Sequence, residues 1–99
     1  MSGYLVGHIE VTDPDAFEAY RAAVPAVVAK FGGRYLVRGG AVEVLEGEWP
    51  VPRLVILAFD SVEQARRFYD SPEYQNILPL RLATSRGSIA IVEGIKNID

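Results

Sequence analysis

The apolar residues of this chain change their spacing several times, and each change marks an element. Tyr4 to Val11 is rich in β-branched residues and predicts a first strand. Apolar side chains then fall at 17, 20, 24, 27, 28 and 31, the spacing of one helix face. Asp13 stands where a cap is needed, Pro14 takes the first helical position, and Asp15 suits the positive end of the helix dipole. Gly32-Gly33 ends this helix. Pro25 lies inside it and removes a backbone hydrogen bond, which predicts a bend in the axis.

Beyond the double glycine, Arg34 to Val37 and Ala41 to Glu46 predict two short strands flanking Gly39-Gly40. This pairing would drive Arg38 and Glu46 into the sheet interior. Glu48 to Pro52 is a loop, because two prolines one residue apart fit neither a helix nor a central strand. Arg53 to Phe59 is a near-continuous apolar strand, which predicts burial on both faces. Ser61 caps a second helix, and Gln64 three residues later completes a capping-box pattern. That helix ends near Asp70. Ser71 and Pro72 start a third, which Pro79 interrupts before Thr84, and Gly87 to Val92 is the last strand.

The order is β-α-β-β-α-β with a helical insertion before the last strand. It predicts an α+β, ferredoxin-like antiparallel sheet with its helices on one face, one domain over residues 1–95 and a polar tail over 96–99. The second sheet face is then bare yet still apolar, so a homodimer through that open face is expected, closing a dimeric α/β barrel.

Composition sharpens the picture. The chain has 99 residues, and so small a domain buries only about 60–65% of the surface its unfolded form exposes. With 49% of residues apolar, self-association is the natural outlet for surplus apolar surface. A net charge of −3 and dispersed basic residues argue against a nucleic-acid partner. No signal-length or membrane-length apolar run appears, so no membrane partner is expected. The absence of cysteine removes disulfides and thiolate chemistry and suits a cytoplasmic protein. One histidine and no cysteine speak against structural zinc. No glycine-rich loop opens a helix, so no phosphate or other cofactor is expected.

Seven side chains are candidates for chemistry. Arg38 precedes two glycines that free the backbone to turn; it either holds a carboxylate or enolate in a pocket or pairs structurally with Glu46. Arg53 is a second anion-binding arm or a strand-end charge reaching solvent along its stem. His8 is the default general base, with Glu46 as the other proton acceptor; it shares strand parity with Tyr4, Val6 and Glu10, which leaves open the pocket or the dimer seam. Tyr20, Tyr69 and Tyr74 either wall a pocket with inward hydroxyls or pack helix on helix. Apart from these seven, Trp49 in the proline-flanked loop lids a pocket or covers a partner.

Several phrases carry a family resemblance: Tyr20 and Pro25, Gly32-Gly33, Arg38-Gly39-Gly40, Glu46-Gly47-Glu48-Trp49, Arg53, Phe59-Asp60-Ser61, Tyr69 to Gln75, Arg81 and Val92-Glu93-Gly94. Together they resemble a family of small bacterial proteins known as a domain of unknown function, within the dimeric α/β-barrel superfamily. The resemblance implies a homodimer with a pocket between sheet and helices in each subunit. Relatives in that superfamily include cofactor-free monooxygenases, isomerases, stress-responsive proteins and haem-degrading enzymes. Two functions are therefore expected in competition. One is a cofactor-independent enzyme on a small organic acid or carbonyl compound; the other is a non-catalytic ligand-binding or stress-associated homodimer.

Overall fold

A computed structural model describes residues 2–50 and 53–95. Strand β1 (Gly3–Val11) leads into helix α1 (Pro14–Lys30), then β2 (Arg34–Arg38), β3 (Leu54–Phe59), helices α2 (Val62–Asp70) and α3 (Pro72–Thr84), and β4 (Ser85–Glu93). The sheet order is β2-β3-β1-β4 with every pairing antiparallel. This is the ferredoxin-like arrangement of the α+β class. The polar tail at 96–99, and Val51 and Pro52 of the loop, lie outside the described residues.

The helix boundaries follow local chemistry. The Asp13 carboxylate accepts from the Ala16 amide at 3.2 Å, and the Ser61 hydroxyl from the Gln64 amide at 3.0 Å. The Gln64 side chain does not close the expected capping box. It donates instead to the Phe31 carbonyl, one of the acceptors left open at the end of α1. Gly32 takes φ +74° just beyond that end, where a Cβ would be strained. Ser71 joins α2 to α3: its hydroxyl donates to the Phe68 carbonyl at 2.7 Å and accepts from the Tyr74 amide at 3.1 Å. Pro79 does not interrupt α3. The carbonyl four residues before it belongs to Gln75, and both residues are exposed, so water can satisfy what the missing N–H leaves open.

One core fills the space between the sheet and the helices. Leu5 of β1 and Leu57 and Phe59 of β3 meet Val24 and Val28 of α1, Ala65 and Phe68 of α2, and Tyr74 of α3. Odd-numbered residues of β1 supply this side. The even-numbered ones, Tyr4, Val6, His8 and Glu10, point to the opposite face, with Ile56 and Leu54 from β3 and Arg86, Ser88, Ala90 and Val92 from β4. No helix covers that face. Burial of β3 is accordingly one-sided at its start: Leu54 to Ile56 are half-buried and only Leu57 to Phe59 fully so, which corrects the expectation of burial on both faces.

Ala41 to Glu46 is not a strand. After Gly39 donates its amide to Leu54 the chain leaves the sheet, and residues 41 to 50 are all exposed. The outer edge of β2 stands free, and the alternating valines do not pair with it. Residues 40 to 50 form instead an exposed arm outside the sheet that presents Val42, Val44, Leu45 and Trp49.

Candidate functional site

A small cavity of about 40 Å³ opens between α1 and the helix side of the sheet and is continuous with solvent. Its floor is Leu5, Gly7 and Ile9 of β1. Gly7 contributes no side chain, and Ile89 packs into the room this leaves: a Cβ at Gly7 would lie 2.6 Å from Ile89 Cδ1. Tyr20, Tyr74 and Phe68 form the inner wall, while Arg21, Arg38 and Arg53 stand among the lining residues with Tyr35 and Phe17.

Arg38 reaches the cavity through an irregularity in β2. Strict alternation from Tyr35 would turn residue 37 toward the helices and Arg38 away. The register shifts between Tyr35 and Val37, so that Tyr35 pairs with Leu57 and Arg38 with Val55, both on the helix side. A bulge here re-aims one side chain, as bulges beside binding sites do. The Arg38 guanidinium lies over the Tyr35 ring at 4.7 Å, and its Nη2 donates to the Arg21 carbonyl at 2.8 Å. That carbonyl is available because its helical partner would be the amide of residue 25, which is proline.

Arg53 approaches from the far root of the arm. Its guanidinium lies 5.7 Å from the Phe17 ring, and Nε is buried without a hydrogen-bond partner. Gly39, at φ +69°, makes room for it: a Cβ there would lie 2.5 Å from Arg53 Nη1. Burial pushes the Arg53 guanidinium below the usual arginine value, and Arg21 and Arg38 push it further. Among the described residues, neither Arg38 nor Arg53 has a carboxylate within ion-pair distance.

The tyrosines form a hydrogen-bonded chain. The Tyr20 and Tyr74 hydroxyls are 2.9 Å apart, and Arg81 Nε donates to the Tyr74 hydroxyl at 3.3 Å. Arg81 is itself buried, at 6% exposure. Burial, and then the neighbouring Tyr74, pushes the Tyr20 phenol well above the ordinary tyrosine value, so it stays protonated at neutral pH. Burial likewise raises Tyr35.

This geometry corrects the expectation for Glu46 and selects among the alternatives the sequence left open for His8, Tyr69 and Trp49. Glu46 is exposed on the arm, outside the sheet interior, and makes no ion pair with Arg38. His8 is exposed on the bare sheet face, because its even parity on β1 turns it away from the helices. Tyr69 does not line the cavity; it stacks behind Tyr74 with ring centroids 5.4 Å apart. Trp49 does not lid the cavity, and borders a shallow cleft with His8, Glu10 and Arg86. Of the seven candidates, Arg38, Arg53, Tyr20 and Tyr74 are brought together. Arg21, Tyr35, Arg81 and Gly7 were missed, although Pro25, four residues after Arg21, was a signal for an open carbonyl. Among the described residues no cluster of three or more His, Asp or Glu could hold a metal ion, and no helix is long and apolar enough to cross a membrane.

The family model described as a domain of unknown function, DUF1330, matches residues 2–95. The chain belongs to the DUF1330 family. Its fold is similar to that of a protein of unknown function from Rhodopseudomonas palustris, at a TM-score of 0.76 and 16% identity over 96% of this chain and 83% of that one. A cofactor-independent oxygenase from Streptomyces nogalater matches at a TM-score of 0.64, with 18% identity over 98% and 96% of the two chains. A dimeric ferredoxin-like protein of unknown function from Jannaschia matches at 0.63, with 14% identity over 97% and 100%. At such identities the likeness speaks for the fold. Comparison with curated proteins returns no match.

Proposed function

We propose that this DUF1330 protein is a homodimer that binds a small planar organic anion in the helix-side cavity of each subunit. The observation that carries the reading is the convergence of Arg38 and Arg53 on an aromatic cavity without an acidic partner, one of them with a buried, unpartnered Nε. Like charges held close together and half-buried repel one another, and a carboxylate or enolate bridging them would relieve that cost. The rings of Tyr20, Tyr35, Phe17 and Phe68 would cover a flat apolar body.

Binding fits this cavity better than proton removal does. Its lining includes no Asp, Glu or His, and Tyr20 holds its proton. An enzyme built here would have to work by stabilising an oxyanion on a substrate that is itself acidic. The fold it shares with a cofactor-independent oxygenase is compatible with that second reading. Dimerisation is supported by the uncovered sheet face, by the exposed apolar arm, and by a similar fold described as dimeric.

Native mass spectrometry of gently purified protein tests both parts. The expected result is a dimer carrying extra mass that disappears in Arg53→Met and Arg38→Ala. Should the dimer arrive empty, calorimetric titration with benzoate should show binding that each variant weakens about tenfold, or about 1.4 kcal/mol. A monomer overturns the assembly. Unchanged binding in both variants overturns the arginine assignment.

A further inference from the structure

Arg81 is a buried cation on α3 that lies outside the lining of the cavity, and among the described residues no carboxylate lies within ion-pair distance of it. Its one side-chain hydrogen bond among the described residues runs from Nε to the Tyr74 hydroxyl. Arginine donates and never accepts, so the Tyr74 oxygen is an acceptor in that contact. The Tyr74 proton then needs an acceptor of its own, because Tyr74 is 3% exposed and a buried donor left unmade is costly. The Tyr20 oxygen, 2.9 Å away, is the acceptor within reach. This choice uses up the Tyr20 oxygen as an acceptor and leaves the Tyr20 proton without a protein partner. Tyr20 is half-buried and lines the cavity.

We infer that Arg81 is a positioning residue: it fixes the direction of an Arg81→Tyr74→Tyr20 hydrogen-bond relay, so that the Tyr20 hydroxyl donates into the cavity and selects ligands carrying an acceptor oxygen. The inference rests on the anion-cavity reading and narrows it. The ligand class becomes a planar organic acid with a second oxygen, a carbonyl or an enolate, on the part of the molecule facing Tyr20. Without Arg81, Tyr74 is free to accept from Tyr20 instead, and the donor turns away from the ligand. A purely structural Arg81 would support packing without favouring one ligand atom over another.

Two isosteric probes separate these roles. 4-Acetylbenzoate carries a ketone oxygen where 4-isopropenylbenzoate carries a methylene of the same shape. By calorimetry the wild-type protein should prefer the ketone about tenfold, the scale of one well-placed hydrogen bond. Arg81→Met, which lies outside the cavity lining, should abolish the preference while binding the alkenyl acid as wild type does; Tyr20→Phe should abolish the preference whatever its effect on absolute affinity. Arg53→Met should weaken both acids alike. Equal wild-type affinities for the two acids overturn the relay and leave the anion cavity standing; loss of neither acid in Arg53→Met does the reverse. Tyr20→Phe keeps the test available if Arg81→Met does not fold. A check without ligand uses tyrosine labelled at Cζ with ¹³C. Arg81→Met should move the Tyr20 resonance together with that of Tyr74, since the proton between them changes direction. An unmoved Tyr20 resonance overturns the relay whether or not either acid binds.

Discussion

At the scale of single residues, Pro25 shows how a local fault becomes an anchor. Removing one helical N–H leaves the Arg21 carbonyl open, and the Arg38 guanidinium takes it at 2.8 Å. Pro25→Ala restores the backbone bond, worth about 0.5–1.5 kcal/mol, and frees the unfolded chain by about 0.4–1 kcal/mol, so the two terms nearly cancel. The melting temperature should hardly move, while benzoate affinity falls severalfold as Arg38 loses its support. Calorimetry beside a thermal melt would decide, and unchanged affinity would sink the idea. The proline and both arginines stood plainly in the sequence. Their connection did not, because it depends on a bulge that only the pairing of β2 with β3 reveals. Glu46 was misplaced for the same reason: its position was inferred from a hairpin that the chain does not make.

At the scale of elements, termini were legible and partners were not. Asp13, Ser61 and Ser71 each act by accepting a hydrogen bond from the amide three residues on, so their chemistry is written within a few positions of the sequence. Ser71 does more than cap, since its hydroxyl also closes α2 through the Phe68 carbonyl. Ser71→Ala should therefore cost about 1–2 kcal/mol, at the upper end for a cap, lowering the melting temperature by about 4–8 °C per kcal/mol for a domain of this size. Ser71→Thr, which keeps the hydroxyl, should recover part of the loss; equal melting of Ala variant and wild type would refute the double role. Strands behave differently. Tyr4 to Val11 and Leu54 to Phe59 were legible because each pairs within the chain, whereas Val42 and Val44 alternate in a segment that does not pair with the free edge of β2.

At the scale of the whole molecule, the described residues span 44 × 40 × 16 Å, a slab with helices on one side. The bare side carries Tyr4, Val6, Ile56, Ala90 and Val92, which a monomer would leave in water. Val6→Lys, at the middle of this face, should convert the proposed dimer to monomer at micromolar concentration without unfolding the helix-side core. Sedimentation velocity with far-ultraviolet circular dichroism checks both halves of that statement, and a persistent dimer would mean the subunits join elsewhere. Parity placed His8 among these residues, but which parity faced the helices could not be read until the sheet was seen. The arm adds one more consequence. It leaves the sheet one residue after Arg38 and rejoins it at Arg53, so its two roots are the two guanidiniums of the cavity. In the proposed dimer, a partner that engaged the arm would also act on the site, and by reciprocity an anion clamped between the roots would tighten one subunit's hold on the other. Two cavities joined by such levers would fill in concert rather than one by one.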